Sequence, residues 1–164
     1  VTGYTLQVTG YTLEMTMASI RRFEDIVAWQ KARQVSRETY TLTRLSEFKT
    51  DYDLKAQIRD AANSIMANIA EGFGRGGNKE FVQFLSIANG SVCEVQSHCY
   101  VALDQAYISQ EQFDLLYAHC ETAKQKIGAF MGYLQQSERR GLKYDSVHEA
   151  SLDDVPSEFV ASNP

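Results

Sequence analysis

The stretch Gln57–Phe81, QIRDAANSIMANIAEGFGRGGNKEF, decides the fold. Ile58, Ala62, Ile65, Ile69 and Phe73 recur at steps of four and three, so they share one face of a helix. Ala61, Ala62, Ala67 and Ala70 keep that helix thin and let a neighbouring backbone approach. Gly72, Gly74, Gly76 and Gly77 then stop it, because glycine accepts the left-handed conformation at a helix C-terminus. Asn78 is expected to cap the next helix, with Glu80 in its first turn where a negative charge suits the dipole. The stretch reads as two helices joined by a tight turn at mid-chain.

Working outward, the helix that follows is expected from about Lys79 to Tyr107. Its seam of Phe81, Leu85, Ala88, Val92, Val95, Cys99, Ala102 and Ala106 keeps the heptad alternation of four and three. A second apolar stripe, Phe84, Ile87 and Val101, widens the face beyond one partner's need. Ser109 with Gln112 forms a capping box for a fourth helix. The seam of that helix is Phe113, Leu116, Cys120, Ala123, Ile127, Phe130 and Leu134. Before the quoted stretch, a first helix is expected over about Glu24–Glu47, its seam Ala28, Ala32, Val35, Thr39 and Leu42. Short polar connections join the four, so each pairs with antiparallel neighbours. The fold class is all-α, an up-down-up-down four-helix bundle over residues 21–138.

Both flanks lack helical patterning. VTGYTL at residues 1–6 recurs at 8–13, too short a period for a solenoid unit. Its Thr, Tyr and Val favour strands, so a small hairpin is one reading. An N-terminal extension outside the fold is the preferred expectation for residues 1–20. Residues 139–164, rich in Asp, Glu and Ser with a late proline, read as an acidic disordered tail.

Composition narrows the function. A chain of 164 residues with 44% hydrophobic and 23% charged content suits one globular domain. No apolar run reaches the roughly 20 residues of a membrane span, and the N-terminal region lacks the basic and apolar parts of a secretory signal. Three cysteines without an export signal read as free thiols, and a cytoplasmic location is expected. The net charge of −5 opposes a generally basic nucleic-acid binder. The charge is uneven: 11 Lys/Arg face 8 Asp/Glu over residues 21–79, against 2 and 7 over residues 80–138. Either head-to-tail contact between copies or ordinary solvated faces would use that asymmetry.

FEDIVAWQKAR (23–33), QIRDAANSIMANIAEGFGR (57–75) and KEFVQFLSIANGSVCEV (79–95) resemble, in order and spacing, a bacterial family. It is the four-helix-bundle family named after intervening sequences in large-subunit ribosomal RNA genes, and the resemblance spans roughly residues 21–137. It implies a small non-enzymatic bundle that assembles into a ring-shaped homopentamer and has a link to RNA. A distant branch of the same fold contains the accessory proteins of diversity-generating retroelements, which bind a reverse transcriptase and nucleic acid. Where such sequences usually carry proline, this chain has Met66, so its second helix is expected to run straighter.

Candidate sites follow. Arg33, Arg37, Lys55, Arg59, Arg75 and Lys79 make the best basic surface for RNA phosphate, with structural ion pairing the competing use. Trp29, Phe84, Ile87 and Val101 are the residues expected at an oligomer interface. The turn GFGRGGNK follows a helix and lacks the phosphate-loop pattern, so it reads as a turn. His98-Cys99 and His119-Cys120 cannot converge on one ion, since adjacent helical residues point about 100° apart. No Glu-x-x-His pair is present for a di-iron site. No catalytic residue, metal or cofactor is expected. The expected partners are copies of the chain, with RNA or a reverse transcriptase beyond them.

Overall fold

The computed structural model describes residues 3–8, 11–45, 47–139 and 152–161. Four helices carry the fold: α1 Val27–Leu42, α2 Tyr52–Gly74, α3 Asn78–Asp104 and α4 Gln110–Arg139. Each packs on its sequence neighbours, and α1 closes on α4. Contacts of Thr43 with Arg59, Ser64 with Ser91 and Gln96 with Glu121 make each successive pair antiparallel. The arrangement is the expected up-down-up-down bundle.

The seams predicted for α1, α2 and α4 are buried at every position. That of α3 is buried from Phe81 to Ala102, while Ala106 is exposed. The reason lies in how α3 ends. Ala106 has φ of 57°, its N–H donates to Leu103 O at 2.9 Å, and the Tyr107 N–H donates to Ala102 O at 2.9 Å. Those two bonds are the Schellman closure of a helix, here built on alanine. Tyr107 then stacks on buried Phe48 of the α1–α2 connection, with ring centroids 5.5 Å apart.

Helix α1 is shorter than the expected Glu24–Glu47. It is preceded by a 3-10 turn, Phe23–Asp25, and by extended Ile26, and it ends where Thr43 Oγ1 donates back to Thr39 O at 2.8 Å. Such back-bonding competes with helix continuation. Helix α2 starts earlier than its apolar pattern, because Asp51 accepts the Leu54 N–H at 3.0 Å. It passes Met66 without a break. Gly77, in place of Asn78, is the N-cap of α3.

The glycines divide their work differently from the expectation. Gly72 and Gly74 lie inside α2, and Gly76, with φ of 77°, makes the left-handed turn. A Cβ on Gly72 would stand 2.6 Å from Phe81 Cδ2 and 2.7 Å from Phe84 Cβ, so this glycine lets α3 lie against α2. Deeper in the same interface Ser64 Oγ and Ser91 Oγ are 2.9 Å apart.

The described residues of both flanks contain strands. Strands β1 Gly3–Val8 and β2 Tyr11–Ile20 form an antiparallel hairpin, and β3 Leu152–Pro156 pairs antiparallel with β2. A second 3-10 turn, Ser157–Phe159, follows β3. Ile20, Val155 and Phe159 join the buried core. Burial of these apolar side chains opposes the entropy that would otherwise leave both ends free. The part of the expected tail over residues 140–151 lies outside the described residues.

Candidate functional site

Two groups of residues were expected to meet partners, and the bundle treats them unequally. Arg59 is half-buried and already occupied: Nε donates to Thr43 Oγ1 at 2.7 Å, and its guanidinium lies 4.5 Å from the Tyr40 ring centroid. Asn63 Nδ2 donates to Tyr40 Oη at 3.0 Å, and Ser36 Oγ lies 3.0 Å from Asn63 Oδ1, extending the polar seam between α1 and α2. Arg59 therefore ties two helices together through hydrogen bonds and ring contact rather than through the expected ion pair. Lys55 is also engaged, donating to Lys49 O at 2.9 Å above the Tyr52 ring.

Arg75 pairs with Glu71 at 2.6 Å one turn back, and the carboxylate pushes its guanidinium pKa further up. It also lies 5.5 Å from the Phe84 ring. A residue expected at RNA and one expected at an oligomer interface are thus stacked on each other at the α2–α3 turn. Arg33, Arg37 and Lys79 are exposed and make no ion pair among the described residues. Arg33 lies over Trp29 at 5.9 Å. Lys55, Arg59 and Arg75 thus make hydrogen bonds or an ion pair within the chain, while Arg33, Arg37 and Lys79 make no ion pair among the described residues.

The expected interface residues divide too. Trp29 is half-buried, edge-on to Phe23 at 5.1 Å, and packs on the core. Phe84 is half-buried under Arg75. Ile87 and Val101, by contrast, are 53% and 42% exposed on the outer side of α3. Tyr100 and Leu115 are large exposed apolar groups that the sequence reading passed over. Tyr100 belongs to an aromatic cluster with Phe113 and Tyr117, at 4.8 and 5.8 Å. Its place outside the seam hid it.

Among the described residues no group of three His, Cys, Asp or Glu side chains comes together. Cys99 and Cys120 are fully buried, and burial pushes each thiol up to about 12. His98 Nε2 stands 3.7 Å from Glu94 Oε1 on the same helix. No helix is long and apolar enough to cross a membrane among the described residues.

An antiparallel four-helix bundle with two exposed apolar side chains on the outer face of α3 and a divided set of cations defines a small helical-bundle protein. The chain belongs to the 23S rRNA-intervening sequence protein family, whose model matches residues 24–129. The solved structures include a similar one from Bacteroides thetaiotaomicron, described as a protein of unknown function from the S23 ribosomal protein family. It is 20% identical, covers 64% of this chain and 98% of its own, and superposes with a TM-score of 0.59. Among curated proteins none matches the chain.

Proposed function

We propose that this protein is a non-enzymatic scaffold of the cytoplasm that works as a homo-oligomer, a ring-shaped pentamer, and associates with RNA. The observation that carries the reading is the exposure of Ile87 and Val101 on α3, outside a core that is already closed. Large apolar side chains left on one stripe favour burial against another copy. Native mass spectrometry at micromolar concentration tests it. The expected result is one oligomer, converted to monomer by Ile87→Glu with Val101→Glu. A wild-type monomer rejects the reading.

The second reading is an accessory factor that binds nucleic acid and a reverse transcriptase. Exposed Arg33 and Arg37, one turn apart on α1, favour it. A gel-shift titration across a salt series tests the nucleic-acid contact, because phosphate contacts make affinity fall steeply with salt, and co-purification with a reverse transcriptase separates this reading from the first. Arg33→Glu with Arg37→Glu is then expected to remove RNA binding while leaving the oligomer intact.

A further inference from the structure

Residues 152–161 run beside the bundle as strand β3 and a 3-10 turn. Val155 and Phe159 are 1% and 7% exposed, Pro156 is buried beside them and Val160 packs on the core, while Ser157 and Glu158 face solvent. The Phe159 ring lies 5.4 Å from Phe130 and 5.3 Å from Tyr133, both on α4. Backbone pairing adds to the grip. Met17 registers with Pro156, Ala18 with Val155 and Ile20 with Leu152; Ile26 bridges Val160, and Ala161 N donates to Asp25 O at 2.6 Å. Strand β2 and extended Ile26 thus offer a backbone edge, while α4 offers an aromatic socket. That is how grooves receive extended peptides: main-chain pairing for affinity, with side-chain pockets for selectivity.

The family pattern is complete without this segment. The family match stops at residue 129, before β3. The Bacteroides protein reaches the same fold with 98% of its chain while covering only 64% of this one. Ordering the segment opposes these contacts, because each fixed residue loses backbone freedom. Residues 140–151 tether it to α4, which gives it a high effective concentration at its own groove.

We infer that residues 152–161 form a detachable strap, seated in a peptide-binding groove of β2, Ile26 and α4 that recognises the Val-Pro-x-x-Phe-Val pattern of this chain. In the intact chain the strap fills the groove; once released, the same sequence supplied separately takes its place. Selectivity resides in the socket of Phe130 and Tyr133.

The test uses the full chain, wild type and Val155→Ala with Phe159→Ala, and a fluorescein-labelled peptide of sequence LDDVPSEFVA read by anisotropy. Saturable binding to the variant, at least tenfold weaker in wild type and lost when the peptide phenylalanine is alanine, is the expected result. Absence of saturable binding to a variant that keeps its helical circular dichroism overturns the inference, as does equal binding to both chains. Loss of the helical signal in the variant also overturns it, since the strap is then inseparable from the core. Amide exchange on wild type gives an independent readout. Ala161 and Val160 are expected to exchange at least tenfold faster than Val92 of α3, whereas equal rates mean that the strap opens only when the whole chain unfolds.

Discussion

Gly72 of α2 faces the Phe81 ring of α3 so closely that a Cβ there would lie 2.6 Å from Phe81 Cδ2. Alanine usually gains about 1 kcal/mol over glycine within a helix. Here the added methyl also meets Phe84 Cβ at 2.7 Å, an atom fixed close to its own backbone. Overpacking of about 1–3 kcal/mol then outweighs the propensity gain. Gly72→Ala is expected to lower stability by up to about 2 kcal/mol, read from the midpoint of urea unfolding.

Arg59 is expected to behave as a structural residue. Removing its bond to Thr43 and its contact with Tyr40 costs about 1–3 kcal/mol in Arg59→Ala. Exposed Arg37, changed to alanine, stays within about 0.5 kcal/mol of wild type. Chemical denaturation of both variants checks the contrast, and an Arg59→Ala variant as stable as wild type rejects it.

The thiols predict a pH dependence. Burial raises Cys99 and Cys120 from an ordinary 9.0 to about 12, so the folded state keeps protons that the unfolded chain releases. Their contribution to stability is complete below pH about 9 and is lost as pH rises from there through about 12. Replacing both with alanine is expected to flatten that decline. At pH 8, iodoacetamide is expected to modify exposed Cys93 alone in the native protein and all 3 cysteines in denaturant, as counted by intact mass.

Ala106 holds a backbone conformation that glycine adopts without steric cost. Ala106→Gly is therefore expected to stabilise the fold by about 0.5–1 kcal/mol, seen as a higher thermal midpoint. An unchanged or lower midpoint would count against strain at this C-cap.

The helices were legible because their information is local and repeated. Ile58 to Phe73, or Phe113 to Leu134, names its buried face several times over, so single ambiguities do not matter. The strap was not legible. Val155 and Phe159 are two anchors within an acidic stretch, and their partners Ala18 and Phe130 are distant in sequence. The Thr, Tyr and Val content of residues 1–20 allowed a hairpin as one reading, though an extension outside the fold was preferred, and the pairing of β2 with β3 had no such signal. Among the candidate site residues, spacing shows which arginines share a helix and not what stands opposite them. Arg59 meets Thr43 across a helix boundary, a contact fixed by the relative placement of α1 and α2. Ile87 and Val101 were legible as apolar residues outside the seam, whereas Trp29 and Phe84 found partners within their own chain.

The bond between Ser64 and Ser91 does something that the apolar seams around it cannot. A heptad pattern is nearly indifferent to sliding one rod past another by seven positions, since grease meets grease again. Such a slip would set Ser64 against Phe84 or His98 in place of Ser91 and lose the bond between the two hydroxyls. One pair of small polar groups thus works as a notch on the rod, telling α2 and α3 which of several equally oily alignments is the right one.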